Sequence, residues 1–149
     1  MIYKPIIIVA GEPNSIFFEI FIKSLNHKKF KSPIILIASI NLIKLQMKKL
    51  KLKKQIRLID SADLKNNHLD NEKVNLINVN FNQKKAFDKI SNKSNNYIKK
   101  SFDIALKILN KKITNKFING PISKKFFLKK KYLGITEYLA SKTKTKNFA

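Results

Sequence analysis

The sequence predicts an α/β fold with helices layered on both sides of a largely parallel sheet. Three observations carry that expectation. Short, unbroken apolar runs rich in β-branched residues recur along the chain, they alternate with stretches of helical period, and polar turns of a few residues separate the two kinds. Strands buried on both faces need no polar alternation, so parallel sheets read as continuous runs of Ile, Val and Leu.

The first run, Pro5 to Ala10 (PIIIVA), is bounded by Gly11 and Pro13. A helix over 16–25 follows, with Phe17, Ile20, Phe21 and Ser24 at helical spacing and Asn14 or Ser15 placed to cap it. Strand, turn and helix make the first half of a βαβ unit. Ile34 to Ala38 (IILIA) is a second buried strand, and Ser39 caps a helix through Leu50 on which Ile40, Ile43 and Met47 share a face. Ile56 to Ile59 is a third strand, the aperiodic stretch Asp60 to Lys73 reads as a loop, and Val74 to Val79 returns to β character.

Asn92 to Asn110 carries the strongest helical pattern, with Ile98, Phe102, Ala105, Leu106 and Leu109 on one face and Asn92 or Ser94 as cap. Lys116 to Asn119 (KFIN) is a brief strand leading into Gly120-Pro121, after which Ser123 caps a helix to about Lys131. A last helix starts near Thr136 and runs through SKTKT. Asn147-Phe148-Ala149 reads as the opening of a further strand, so the chain looks cut, as a truncated reading frame or a split gene product would be.

Composition narrows the class. At 149 residues and 44% hydrophobic, the chain suits one core, meaning one domain or a piece of one. No stretch approaches the roughly 18 apolar residues of a membrane span, and the opening run is too short and β-branched for a signal peptide. A soluble, cytoplasmic protein is expected. The absence of cysteine excludes a disulfide framework and a thiolate zinc site.

The net charge of +23 invites a nucleic-acid reading, which is the competing function class. However, Arg57 is the only arginine, whereas nucleic-acid surfaces favour its bidentate fork. Lys, Ile and Asn number 31, 23 and 17, so 71 of 149 residues belong to types that A/T-rich codons encode. The lysines are also spread over every segment. The charge therefore reads as composition bias on solvated faces.

Generic chemical templates find little. Gly11-Glu12-Pro13 lacks the glycines of a dinucleotide turn and the Gly-Lys-Ser/Thr of a P-loop, and His27 and His68 stand alone as surface histidines without ligand-spaced partners. Two stretches are richer. Asn119-Gly120-Pro121-Ile122-Ser123-Lys124 puts a glycine at the carboxyl end of a strand, where a ligand could approach the backbone, then opens a helix beside a lysine. Gly134-Ile135-Thr136-Glu137-Tyr138 sets a hydroxyl and a carboxylate at a helix start, and its structural reading is Thr136 as cap with Glu137 in the first turn.

Strand-Gly-Glu-Pro-helix at the start, then N-G-P-I-S-K, then G-I-T-E-Y-L-A, resemble in that order the motifs of the 4-hydroxythreonine-4-phosphate dehydrogenase family of vitamin B6 biosynthesis: G-E-P-A-G-I-G-P-E, T-G-P-[IV]-x-K and G-H-T-E-[FY]-[LF]-A. The resemblance covers the whole chain but only the N-terminal half of a family member. It implies an isocitrate-dehydrogenase-like α/β/α fold, a homodimer, NAD or NADP, and a divalent metal (Zn, Mg or Co) bound by the missing second half. The implied reaction oxidises and decarboxylates 4-phosphooxy-L-threonine to 3-amino-2-oxopropyl phosphate. On this chain the resemblance points to Thr136 as a substrate contact, to Ile135 at the position of the family's histidine, and to Lys124 beside the substrate. It places no catalytic residue and no metal ligand within the 149 residues, so the chain alone is expected to be inactive. A degenerate, non-catalytic relic is the alternative within the family.

Overall fold

The computed structural model describes residues 3–64 and 69–145. His68 and the strand expected from Asn147 lie outside the described residues. Five strands, β1 (Ile6–Val9), β2 (Ile34–Ala38), β3 (Ile56–Leu58), β4 (Val74–Asn78) and β5 (Lys116–Asn119), form one sheet in the order β3-β4-β2-β1-β5. All four strand pairings are parallel, with Ile8 between Leu36 and Ile118 in register.

Alternate residues of each strand serve opposite faces, and both are covered. Ile8, Ile34, Leu36, Val74 and Leu76 pack under α1 (Phe17–His27) and α2 (Ile40–Lys49), against Phe18, Ile22, Leu42 and Ile43. Ile7, Val9, Ile35, Ile37 and Ile77 pack under α3 (Asn95–Asn110), against Ile98, Phe102 and Ala105. This is the expected α/β/α layering, and burial from both sides explains why the strands show no polar alternation.

The helix faces differ in detail from the sequence pattern. On α1 the buried residues are Phe18, Phe21, Ile22 and Leu25, while Ile20 is 55% exposed. On α3, Ile108 is in the core and Leu106 and Leu109 are only half-buried. In both cases the apolar period fits two neighbouring faces, and contact with the sheet selects one. Ser39 caps α2 as expected, accepting from Leu42 N–H. Asn14 does not cap α1, whose N-cap position is Ile16, whereas Ser15 Oγ accepts from the first helical amide, that of Phe17, at 3.3 Å. Asn14 Oδ1 instead accepts from Gln83 Nε2 and from the Asp88 amide, both at 2.9 Å.

The expected helix from Ser123 to Lys131 is a single π turn, Lys124–Leu128. Ser123 does accept from Phe126 N–H at 3.2 Å, but Lys129 and Lys130 follow with φ of 50° and 60° and end the turn. The chain then enters α4 (Ile135–Thr143), which starts from Gly134 rather than from a Thr136 cap. Among the described residues no helix is long and apolar enough to cross a membrane.

Candidate active site

The carboxyl ends of β1 and β5 lie side by side at one end of the sheet, and their pairing continues into both turns. Gly120 N–H donates to Val9 O and Glu12 N–H to Pro121 O, each at 2.7 Å. The glycines make this contact. A Cβ on Gly120 would stand 2.1 Å from Ala10 O, and one on Gly11, whose φ is +77°, would stand 2.2 Å from Pro121 O. Gly120 thus admits neighbouring backbone. Gly134 is different, because nothing lies within 4 Å of where its Cβ would be.

Glu12 is 3% exposed at this junction. Its carboxylate accepts from the Asn14 amide at 3.2 Å and from Ser94 Oγ at 3.0 Å, joining the β1 turn to the start of α3. Ser94 is the α3 N-cap residue but spends its hydroxyl on Glu12 and on Ser91 O, so it does not cap the helix with its side chain as expected. A carboxylate beside a helix N-terminus complements the dipole there. Gln46, fully buried on α2, donates to Pro13 O and Ala86 O at 2.8 Å and ties the same turn to the 79–91 loop. That loop and the α3 start enclose a cavity of about 410 Å³ lined in part by Asn14, Lys84, Lys89, Lys93 and Tyr97. Sequence reasoning missed the roles of Glu12, Gln46 and Ser94. Each is an isolated polar residue whose partner is 33 to 82 positions away, and only the Gly-Glu-Pro motif marked the place.

An aromatic cluster positions the second stretch. Phe102 of α3 contacts Phe117 of β5, Phe127 of the π turn and Tyr138 of α4, with ring centroids 5.6 to 6.3 Å apart. Ring contacts of this kind add to the area they bury and hold the π turn and α4 against α3. Burial pushes the Tyr138 hydroxyl up to about 12, with the Asp103 carboxylate and Tyr132 adding to the shift. Burial likewise pushes the Tyr97 hydroxyl well above the usual phenol range.

Against this scaffold the residues singled out from sequence have distinct places. Lys124 is exposed at the start of the π turn, and Thr136 is exposed on the first turn of α4. Ile135 is half-buried and packs against the α3-side core, so its side chain serves packing. Glu137 turns back and accepts from Leu133 N–H at 2.6 Å, occupying the helix start with its own carboxylate. The structure therefore presents the Thr136 hydroxyl and the Lys124 ammonium to solvent, on segments that the aromatic cluster holds.

Among the described residues no three His, Cys, Asp or Glu side chains gather to hold a metal ion, and His27 is exposed at the end of α1. At the β1 turn the Glu12 amide is already bonded to Pro121 O, and the Glu12 carboxylate to Ser94 Oγ.

Residues 29–149 match the family described as Pyridoxal phosphate biosynthetic protein PdxA. The chain belongs to the PdxA family. No curated protein sequence matches it. Among solved structures it is similar to a 4-hydroxythreonine-4-phosphate dehydrogenase from Burkholderia phymatum (18% identity, TM-score 0.82, covering 97% of this chain and 45% of that one). It is similar also to the Klebsiella pneumoniae enzyme of that name (20%, 0.82, 96% and 45%). A putative one from Salmonella typhimurium gives 19%, 0.81, 97% and 46%. At these identities the likeness shows the fold, and the PdxA chain described here spans under half the length of each. The match includes the 119–124 and 134–140 motifs, while Gly11-Glu12-Pro13 precedes it.

Proposed function

We propose that this PdxA-family chain is the N-terminal half of a 4-hydroxythreonine-4-phosphate dehydrogenase that acts in the cytoplasm. The complete unit would be a homodimer using NAD or NADP and a divalent metal to oxidise and decarboxylate 4-phosphooxy-L-threonine to 3-amino-2-oxopropyl phosphate. The observation that carries this reading is the family match through residues 29–149, a range that includes Lys124 and Thr136, both exposed. A phosphorylated amino acid needs a cation for its phosphate and a hydroxyl to orient its polar groups. Lys124 and Thr136 supply these. The divalent metal would be bound by the second half, as the family resemblance implies.

The test is a nicotinamide-reduction assay on the chain combined with the part of the Klebsiella pneumoniae enzyme that it does not cover, with Zn, Mg or Co. Thr136→Ala is expected to lower kcat/KM by about 10-fold or more, the effect of losing one hydrogen bond to a charged ligand. Unchanged kcat/KM in Thr136→Ala and in Lys124→Ala would remove both residues from the site. The nucleic-acid reading gains nothing from the structure.

A further inference from the structure

Asn95 and Lys99 stand one turn apart on α3, and Tyr138 and Lys142 one turn apart on α4, so each pair shares a helix face. Lys129 and Lys130, both left-handed, turn the chain after the π turn, and Lys129 and Lys131 join the same wall. These six residues are among those lining a cavity of about 430 Å³, with Phe127 and Tyr132 half-buried beside them. Thr136 is not part of the lining. Two positions before Tyr138, it faces the other side of α4.

Lysines occur in every segment of this chain, so four of them around a cavity do not by themselves make a site. What sets this cavity apart is the polar atoms left over within it. Asn95 Nδ2 donates to Phe126 O at 2.9 Å, which fixes the amide so that the buried Oδ1 is the atom without a partner among the described residues. Tyr138 is 7% exposed, and its hydroxyl is likewise buried with no partner among the described residues. Its raised pKa keeps the proton in place at neutral pH, so Tyr138 offers a donor where Asn95 offers an acceptor. Buried polar atoms of this kind are normally satisfied by a ligand or by water. A hydroxyl group answers both, whereas a carboxylate or a phosphate dianion brings acceptors only. Among the described residues no carboxylate lines the cavity, and nearby Asp103 pairs with Lys142 at 3.7 Å, so the remaining lysines make a positive wall suited to a phosphate. We propose that this cavity binds a small sugar phosphate, with the phosphate among Lys99, Lys129 and Lys131 and the sugar hydroxyls at Tyr138 Oη and Asn95 Oδ1. Such binding does not depend on the dehydrogenase activity proposed above.

Calorimetric titration of the 149-residue chain with ribose 5-phosphate, ribose and inorganic phosphate tests this. Ribose 5-phosphate should bind saturably and about tenfold or more tighter than inorganic phosphate, since only the ester carries hydroxyls for Tyr138 and Asn95, and ribose should bind more weakly than the ester. Tyr138→Phe keeps the ring and its packing, so it should weaken ribose 5-phosphate about fivefold or more and leave inorganic phosphate unchanged. Lys129→Gly, which suits the left-handed backbone, combined with Lys131→Ala should weaken both phosphates. Lys44→Ala with Lys48→Ala, exposed on α2 across the sheet, should weaken neither. No saturable binding would mean that the leftover atoms hold only water, and it overturns the proposal. So does equal affinity for ribose 5-phosphate and inorganic phosphate, or an equal loss in the α2 variant, which would mark diffuse attraction to a basic chain. Weakening by Thr136→Ala to the same extent as by Tyr138→Phe would place the ligand in the proposed substrate site and overturn it too.

Discussion

Replacing lysines that end helices with glycine should stabilise this protein. Every described non-glycine residue with positive φ is a lysine: Lys51, Lys112, Lys129, Lys130 and Lys144, with φ between 50° and 60°. Lys51 and Lys112 follow the capping residues of α2 and α3, where helices normally place glycine. At α2 the motif is complete, with Leu52 N–H donating to Met47 O at 2.9 Å and Lys51 N–H to Lys48 O at 3.3 Å. The left-handed conformation costs a side-chain-bearing residue about 1–2 kcal/mol. Glycine removes that cost but gains about 0.4–1 kcal/mol of extra freedom when unfolded. The difference is about 0.5–1 kcal/mol per site. The two sites lie on opposite faces of the sheet, so Lys51→Gly with Lys112→Gly should add to about 1–2 kcal/mol, or about 2–8 °C in Tm for a chain of this size. Urea and thermal unfolding followed by circular dichroism measure this, with Lys44→Gly, exposed in the middle of α2, as a control that loses about 0.5–1 kcal/mol. A double variant no more stable than the parent would refute the strain argument.

Three further outcomes follow from the same geometry. Gly120→Ala should cost at least about 3 kcal/mol, because its Cβ meets Ala10 backbone at 2.1 Å, whereas Gly134→Ser, in open space, should change unfolding free energy by less than about 0.5 kcal/mol. Tyr138→Phe should stabilise the fold slightly and flatten its loss of stability between about pH 10 and 12, measured by unfolding at alkaline pH. The hydroxyl has no hydrogen-bond partner among the described residues, and its raised pKa means that the folded state holds a proton the unfolded state gives up. Asp70, held below the ordinary 3.8 chiefly by its hydrogen bond from Arg57, contributes stability above that pH that is lost as pH falls through its lowered value, and Asp70→Asn should shrink the acid-side loss.

Much of the fold was legible because its signals are local. The runs at Ile6–Val9, Ile34–Ala38 and Val74–Asn78 are apolar on both faces, and that property alone states a buried parallel strand. The caps at Ser39 and Ser123 were legible for the same reason, since each bonds an amide three residues on. The site was harder. Whether Gly120 serves a ligand or a neighbouring strand depends on Ala10, over a hundred positions away, and no local pattern encodes that choice. Likewise Ser94 looks like a helix cap until Glu12 claims its hydroxyl. The π turn was read as a longer helix because lysine at 129 and 130 hides a stop that glycine would have announced. In a chain with three glycines and 31 lysines, composition has overwritten the usual punctuation.

If the proposed function is right, this PdxA-family chain performs dehydrogenase chemistry only with a second half. The most direct measurement is nicotinamide reduction with 4-phosphooxy-L-threonine and divalent metal, by the purified 149-residue chain alone and then with the uncovered part of the Klebsiella pneumoniae enzyme. The chain alone should produce no reduced nicotinamide and the combination should. Turnover by the chain alone would contradict the claim, because among its described residues there is no group to hold the metal.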